Sequence, residues 1–73
     1  MKKTYELIDL DCAVCAQKMQ DAVAKLDGVN SVEVSFIKQK MTIDFADGAD
    51  VDKLMKKVCK AIAKVEPDCE VVL

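Results

Sequence analysis

Histidine and tryptophan are absent from this chain, and it contains one proline and two glycines. Without imidazole, a metal site here has to be built from thiolates and carboxylates. Only three aromatic side chains are present, Tyr5, Phe36 and Phe45, too few to form a stacking platform for bases. A net charge of −2 at pH 7 gives no electrostatic footprint for a phosphate backbone, so nucleic acid is not the expected partner. No apolar run approaches the ~18 residues of a bilayer-spanning helix. The N-terminus, Met1-Lys2-Lys3-Thr4-Tyr5-Glu6, lacks the apolar core and small-residue cleavage site of a secretory signal. There is no low-complexity segment or linker. There is also no phosphate-binding loop and no phosphorylated-aspartate motif, so this chain is not expected to hydrolyse ATP and is not itself an enzyme. Together these absences predict a soluble domain facing a reducing cytoplasm, where closely spaced cysteines signal metal or redox chemistry rather than a structural disulfide.

What is present fits one domain over residues 1–73, since 73 residues leave no room for a second. Tyr5 and Leu7 alternate with Glu6, which predicts a strand over about residues 3–9 and leaves the face of Ile8 open. From Ala13 to Leu26 the period becomes helical, with Cys15, Met19, Val23 and Leu26 on one stripe and Asp27-Gly28 as the stop. Val32, Val34 and Phe36 alternate with polar residues, Lys38-Gln39-Lys40 is a polar tip, and Met41, Ile43 and Phe45 alternate again. The short gap makes these two strands an antiparallel hairpin. Asp50 is the expected N-cap of a second helix, with Asp52 in its first turn and Val51, Leu54, Met55, Val58, Ile62 and Val65 as its apolar stripe. Pro67 marks its end, and Cys69 to Leu73 supply a last strand. The order βαββαβ, with both helices amphipathic, predicts an α+β ferredoxin-like fold: a four-stranded antiparallel sheet with two helices on one face.

The chemistry concentrates in Asp11-Cys12-Ala13-Val14-Cys15, at the turn into the first helix. Unpaired N–H groups and the helix dipole favour thiolates there, and the thiolate is the metal ligand. Two intervening residues let both sulfurs reach one ion. A closed tetrathiolate site needs a second such pair, and none exists, so the site is open and suited to an ion that is passed on. Asp11 has two readings. As a ligand it adds a hard oxygen, favoured by Zn²⁺ and Cd²⁺ over Cu(I); two thiolates and a carboxylate around a divalent ion leave one negative charge, and around Cu(I) they leave two. As a structural residue it caps the first helix.

These residues, with Leu26-Asp27-Gly28-Val29 and the element order, make the chain resemble the heavy-metal-associated domains, which occur as copper chaperones and as N-terminal domains of soft-metal P-type ATPases. The resemblance spans essentially the whole chain, and Leu26-Asp27-Gly28-Val29 is similar to the family's Leu-Pro-Gly-Val turn. Copper-handling members usually carry Gly-Met-Thr where this chain has Asp9-Leu10-Asp11. The aspartate before the first cysteine is similar to the zinc, cadmium and lead ATPases. Neither the lysine nor the aromatic that copper members place before the last strand is present, since Glu66-Pro67-Asp68 stands there. The resemblance thus implies a Zn²⁺, Cd²⁺ or Pb²⁺ site formed by Cys12, Cys15 and Asp11, at the cytoplasmic face of the cell membrane. Its partners would be the ion and the transport domain of a parent ATPase or another metal-binding domain. The alternative is a free-standing metallochaperone, with Cu⁺ as its cargo. A small thiol-disulfide oxidoreductase is a third reading, disfavoured by the short chain and the missing tryptophan.

Other polar and sulfur-bearing residues have plainer readings. Cys59 falls between core positions of the second helix and reads as a small core residue. Cys69 reads as core too, or as an auxiliary thiol near the ligand loop. Met19, Met41 and Met55 follow core periodicity. Lys53, Lys56, Lys57, Lys60 and Lys64 read as a solvated helix face, with an acidic partner or the inner leaflet as the functional alternative. Ala13 and Val14 would form a small apolar rim beside the thiols. The expected state is a monomer, although an open two-thiolate site invites metal-bridged dimers at high concentration.

Overall fold

A computed structural model describes residues 1–73. The elements are β1 (Lys2–Ile8), α1 (Ala13–Ala24), β2 (Val29–Ser35), β3 (Lys40–Phe45), α2 (Val51–Val65) and β4 (Glu70–Val72). The sheet order is β2-β3-β1-β4, and every neighbouring pair is antiparallel. β1 and β2 are therefore parallel with β3 between them, and β3 and β4 are parallel with β1 between them. This is the split βαβ arrangement predicted from the element order.

One contiguous core joins sheet and helices. Leu7, Met41, Ile43 and Phe45 come from one sheet face, Ala16, Met19 and Val23 from α1, and Leu54, Met55, Val58 and Ile62 from α2. The opposite sheet face is polar, with Thr4, Glu33, Ser35, Lys40 and Thr42 along it. A sheet buried on one side only produces this strict alternation, and it fixes the register of each strand. Ile8, left open by the sequence, points outward and is 44% exposed.

The helix boundaries follow local chemistry. Asp50 caps α2 by accepting the Lys53 N–H at 3.3 Å, with Asp52 in the first turn. α1 stops at Ala24, two residues before the expected Leu26, which packs partly buried against the core. Two differences appear in the hairpin. β2 begins at Val29, with a register shift between Val29 and Ser31, and it ends at Ser35. Phe36, expected to continue the inward alternation, instead lies in the turn and is 36% exposed. Ser35 Oγ accepts the Lys38 N–H at 3.2 Å and closes that turn one residue early.

Gly28 adopts φ +94 between α1 and β2, and a Cβ built there would lie 2.8 Å from Leu54 Cδ1. Gly48 also has positive φ, +80, but nothing lies within 4 Å of its Cβ position. Gly28→Ala therefore combines backbone strain with overpacking and is expected to lose about 2–4 kcal/mol. Gly48→Ala carries the strain alone, about 1 kcal/mol. Urea unfolding of the two variants side by side checks the difference.

Candidate metal centre

β1 ends at Ile8, and Asp9 turns the chain out of the sheet with φ +62, a conformation that aspartate tolerates better than most residues. Leu10 then drives its side chain into the core and is 2% exposed. Its backbone groups have no strand partner, and Gln39 supplies both. Leu10 N–H donates to Gln39 Oε1 at 3.1 Å, and Gln39 Nε2 donates to Leu10 O at 2.8 Å. The polar tip of the hairpin thus grips the loop that carries the thiols. Nothing in the sequence pattern pointed to Gln39 beyond its polarity, because the contact crosses 29 positions of chain.

Asp11, Cys12 and Ala13 follow. The structure decides the capping question against Asp11: the N-cap of α1 is Cys12, whose Sγ accepts the Cys15 N–H at 3.2 Å. Asp11 is exposed, one residue too early for that role. The first turn of α1 contains no carboxylate, so the negative charge that the dipole favours there is left to sulfur. Cys12 and Cys15 are both free and partly exposed. Their spacing, one at the cap and one in the first turn, aims two soft donors at the same side of the helix start.

The two thiols do not titrate alike, although the sequence argument treated them together. Cys12 is held below the ordinary thiol range, first by the hydrogen bond from the Cys15 side chain, then by the backbone N–H groups of Cys15 and Val14. Cys15 is raised, first because its proton is shared with Cys12, then by burial and by the negative charges of Cys12 and Glu66. Of the two, Cys12 is thus the more easily deprotonated, and deprotonation is what makes a thiol a soft-metal donor. No three His, Cys, Asp or Glu side chains gather around a common point. The structure brings Cys12 and Cys15 together and leaves the Asp11 carboxylate apart from them.

The surroundings are acidic. The negative charge of Glu66 pushes Cys15 and Cys69 up and partly offsets the lowering of Cys12, and Asp9, Asp11 and Glu70 add to the effect on Cys69. Glu66 is a charged neighbour that the sequence pattern does not single out, beyond its place before β4 where copper members carry a lysine or an aromatic. Val14 is exposed as expected, and Ile37, at the same hairpin tip as Gln39, is 91% exposed and adds a second apolar side chain to that end of the molecule. Cys69 is buried, as expected. Cys59 corrects its reading, because it is only half-buried and lines an open groove of about 660 Å³ with Tyr5 and Met55.

Burial pushes the Cys59 thiol up, and burial followed by the four carboxylates pushes Cys69 up. Tyr5 is raised by burial and then by Asp52 and Cys59. An acid whose folded pKa lies above its unfolded value contributes stability that is complete below the unfolded value and lost as pH rises through the folded one. Cys12 acts with the opposite sign, because its contribution is lost as pH falls through its depressed value. The metal-free domain is therefore expected to melt at progressively lower temperature above about pH 9. A Cys59→Ala/Cys69→Ala variant should show a flatter alkaline limb in thermal melts followed by circular dichroism.

Comparison with known proteins agrees with this geometry. The model of the heavy-metal-associated domain family matches residues 4–68. The zinc/cadmium/lead-transporting P-type ATPase of Escherichia coli is 39% identical over 57 residues, covering 74% of this chain and 8% of the transporter. The copper chaperone CopZ of Enterococcus hirae is 29% identical over 72 residues, covering 99% of this chain and 100% of the chaperone. Of the first relatives matched, the chain spans less than a third of the length. Among solved structures, a CopZ metallochaperone superposes with a TM-score of 0.75 at 19% identity, over 99% of this chain and 100% of that one, which is agreement in fold. With the thiol pair at the head of α1 and a family match over residues 4–68, the chain belongs to the heavy-metal-associated domains.

Proposed function

We propose that the chain binds a soft divalent ion, Zn²⁺, Cd²⁺ or Pb²⁺, through Cys12 and Cys15, with Asp11 as third ligand, and serves as the cytoplasmic metal-binding domain of a heavy-metal-exporting P-type ATPase. The observation that carries this reading is the acidic character of the site: a Cys12 thiol held below its ordinary range, a second thiol three residues on, Asp11 adjacent, and the negative charge of Glu66 acting on both thiols. A set with three formal negative charges is neutralised far better by a divalent ion than by Cu(I). Asp11 follows Leu10, the last loop residue gripped by Gln39, so its carboxylate is free to swing onto an ion held by the two sulfurs. The ion is cargo. Transfer proceeds by ligand exchange through mixed coordination with a partner's donors, and the domain itself catalyses no covalent step. No helix is long and apolar enough to cross a membrane, so transport would belong to other parts of a larger protein.

A second reading has its own support. The chain covers the full length of a copper chaperone, which fits a free-standing metallochaperone equally well in size. Titration of the reduced protein with Zn²⁺ and Cd²⁺ against a competing chelator separates the readings when repeated on Asp11→Ala. The divalent reading expects one ion per chain and a loss of at least about 10–100-fold in the variant, the scale on which even groups that only hydrogen-bond to a metal's ligands change its affinity. Unchanged binding in the variant would remove Asp11 from the site and favour the copper chaperone.

A further inference from the structure

Gln39 makes more contacts with the metal loop than any turn residue needs for closing a hairpin. Its side chain accepts from Leu10 N–H at 3.1 Å and donates to Leu10 O at 2.8 Å and to Phe36 O at 2.7 Å. Its own carbonyl accepts the Leu7 N–H at 2.8 Å. Main chain and side chain of one residue therefore hold β1 and the loop beyond it at two points. Gln39 does this from φ +54, a left-handed conformation that glycine would adopt without strain. Glutamine carries that backbone strain together with the three side-chain hydrogen bonds that glycine could not make.

From these contacts we propose that Gln39 is the positioning residue of the metal site: its carboxamide clamps Leu10 and thereby sets where Asp11 and Cys12 stand relative to Cys15. Cys15 is fixed by the body of α1. Cys12 is fixed on its downstream side by the cap it forms with the Cys15 N–H. On its upstream side the nearest anchored residue is Leu10, whose buried N–H and C=O depend on Gln39. Releasing Leu10 loosens the sulfur of Cys12 and the carboxylate of Asp11 together, without touching any ligand. The inference rests on Cys12 and Cys15 being the ligands.

Gln39→Gly tests it, because glycine relieves the left-handed strain while removing the clamp. Cd²⁺ is titrated against a competing chelator, urea unfolding is followed in parallel, and ¹¹³Cd NMR reports the environment of the ion. The expected result is a cooperative unfolding transition that shows the fold retained, a Cd²⁺ affinity at least about tenfold lower, a broadened ¹¹³Cd resonance, and faster hydrogen exchange at the Leu10 amide. Gln39→Glu keeps an acceptor for the Leu10 N–H but loses the donors for the Leu10 and Phe36 carbonyls, and its affinity should fall between the two. A Gln39→Gly protein that binds Cd²⁺ within twofold of the wild type, or whose Leu10 amide exchanges at the wild-type rate, overturns the clamp and leaves the ligands standing. A wild-type chain that takes up no Cd²⁺ overturns the ligand assignment and the clamp with it.

Discussion

Cys15→Ser is expected to lower affinity for Cd²⁺ by roughly a hundredfold to several hundredfold while the domain keeps its fold. A structural zinc site of four protein ligands contributes about 10–16 kcal/mol, or roughly 2.5–4 kcal/mol per ligand, and each 1.4 kcal/mol is about tenfold in affinity. The serine hydroxyl is a hard donor that stays protonated near neutral pH and does not replace a thiolate toward a soft ion. Cys15 is only partly buried at the edge of the core, so the change of one atom costs little in packing. Cys12→Ser should lose binding to a similar degree, yet its hydroxyl can still accept the Cys15 N–H that Sγ accepts now, since serine is a favoured cap. Cys12→Ala should lose about 1 kcal/mol of stability in addition. Chelator competition read together with urea unfolding separates these effects. A Cys15→Ser protein that held Cd²⁺ within tenfold of the wild type would place the ion elsewhere.

Phe45→Ala is expected to remove a large share of the domain's stability. Phe45 is 0% exposed and heads the fully buried side chains by volume. It also closes β3, donating its N–H to Met1 O at 2.8 Å and accepting from the Met1 ammonium at 2.9 Å. Truncating a buried phenylalanine costs about 3–5 kcal/mol, against a total of roughly 4–11 kcal/mol for a domain of this length. Phe36→Ala, at a turn position that is 36% exposed, should cost less than about 1 kcal/mol. Denaturant midpoints of the two alanine variants provide the comparison. Equal losses would mean that the side chain of Phe36 is buried in solution.

The two phenylalanines also show what the sequence could and could not reveal. Both stand at even spacing in an alternating run, and the pattern alone put both inside. Phe45 is inside because β3 continues to the end of the sheet. Phe36 is not, because the Ser35 hydroxyl begins the turn first, and such a local side-chain bond leaves no trace in hydrophobic periodicity. The cap of α2 was legible because Asp50 is a strong capping type at the right place. The cap of α1 was not, because cysteine is no customary cap and Asp11 next to it is. The thiol pair was legible from spacing within five residues. Gln39 and Glu66 were not, since both reach the metal loop across the fold, one from the hairpin and the other from the end of α2. Short-range patterns fix which residues share a face, and long-range polar contacts decide how the loop between them is held.

The carboxylates around the thiol pair also govern traffic. Asp9, Asp11, Glu66 and Glu70 all act on Cys69 and place negative charge at the site's end of the molecule, which is expected to favour the approach of small cations over anions. A bare divalent ion is drawn in, and its association slows as ionic strength rises. The same metal arriving inside a negatively charged chelate or thiol complex is turned away, and added salt speeds its entry. The form in which an ion is carried, as much as its identity, then determines how quickly this domain acquires it.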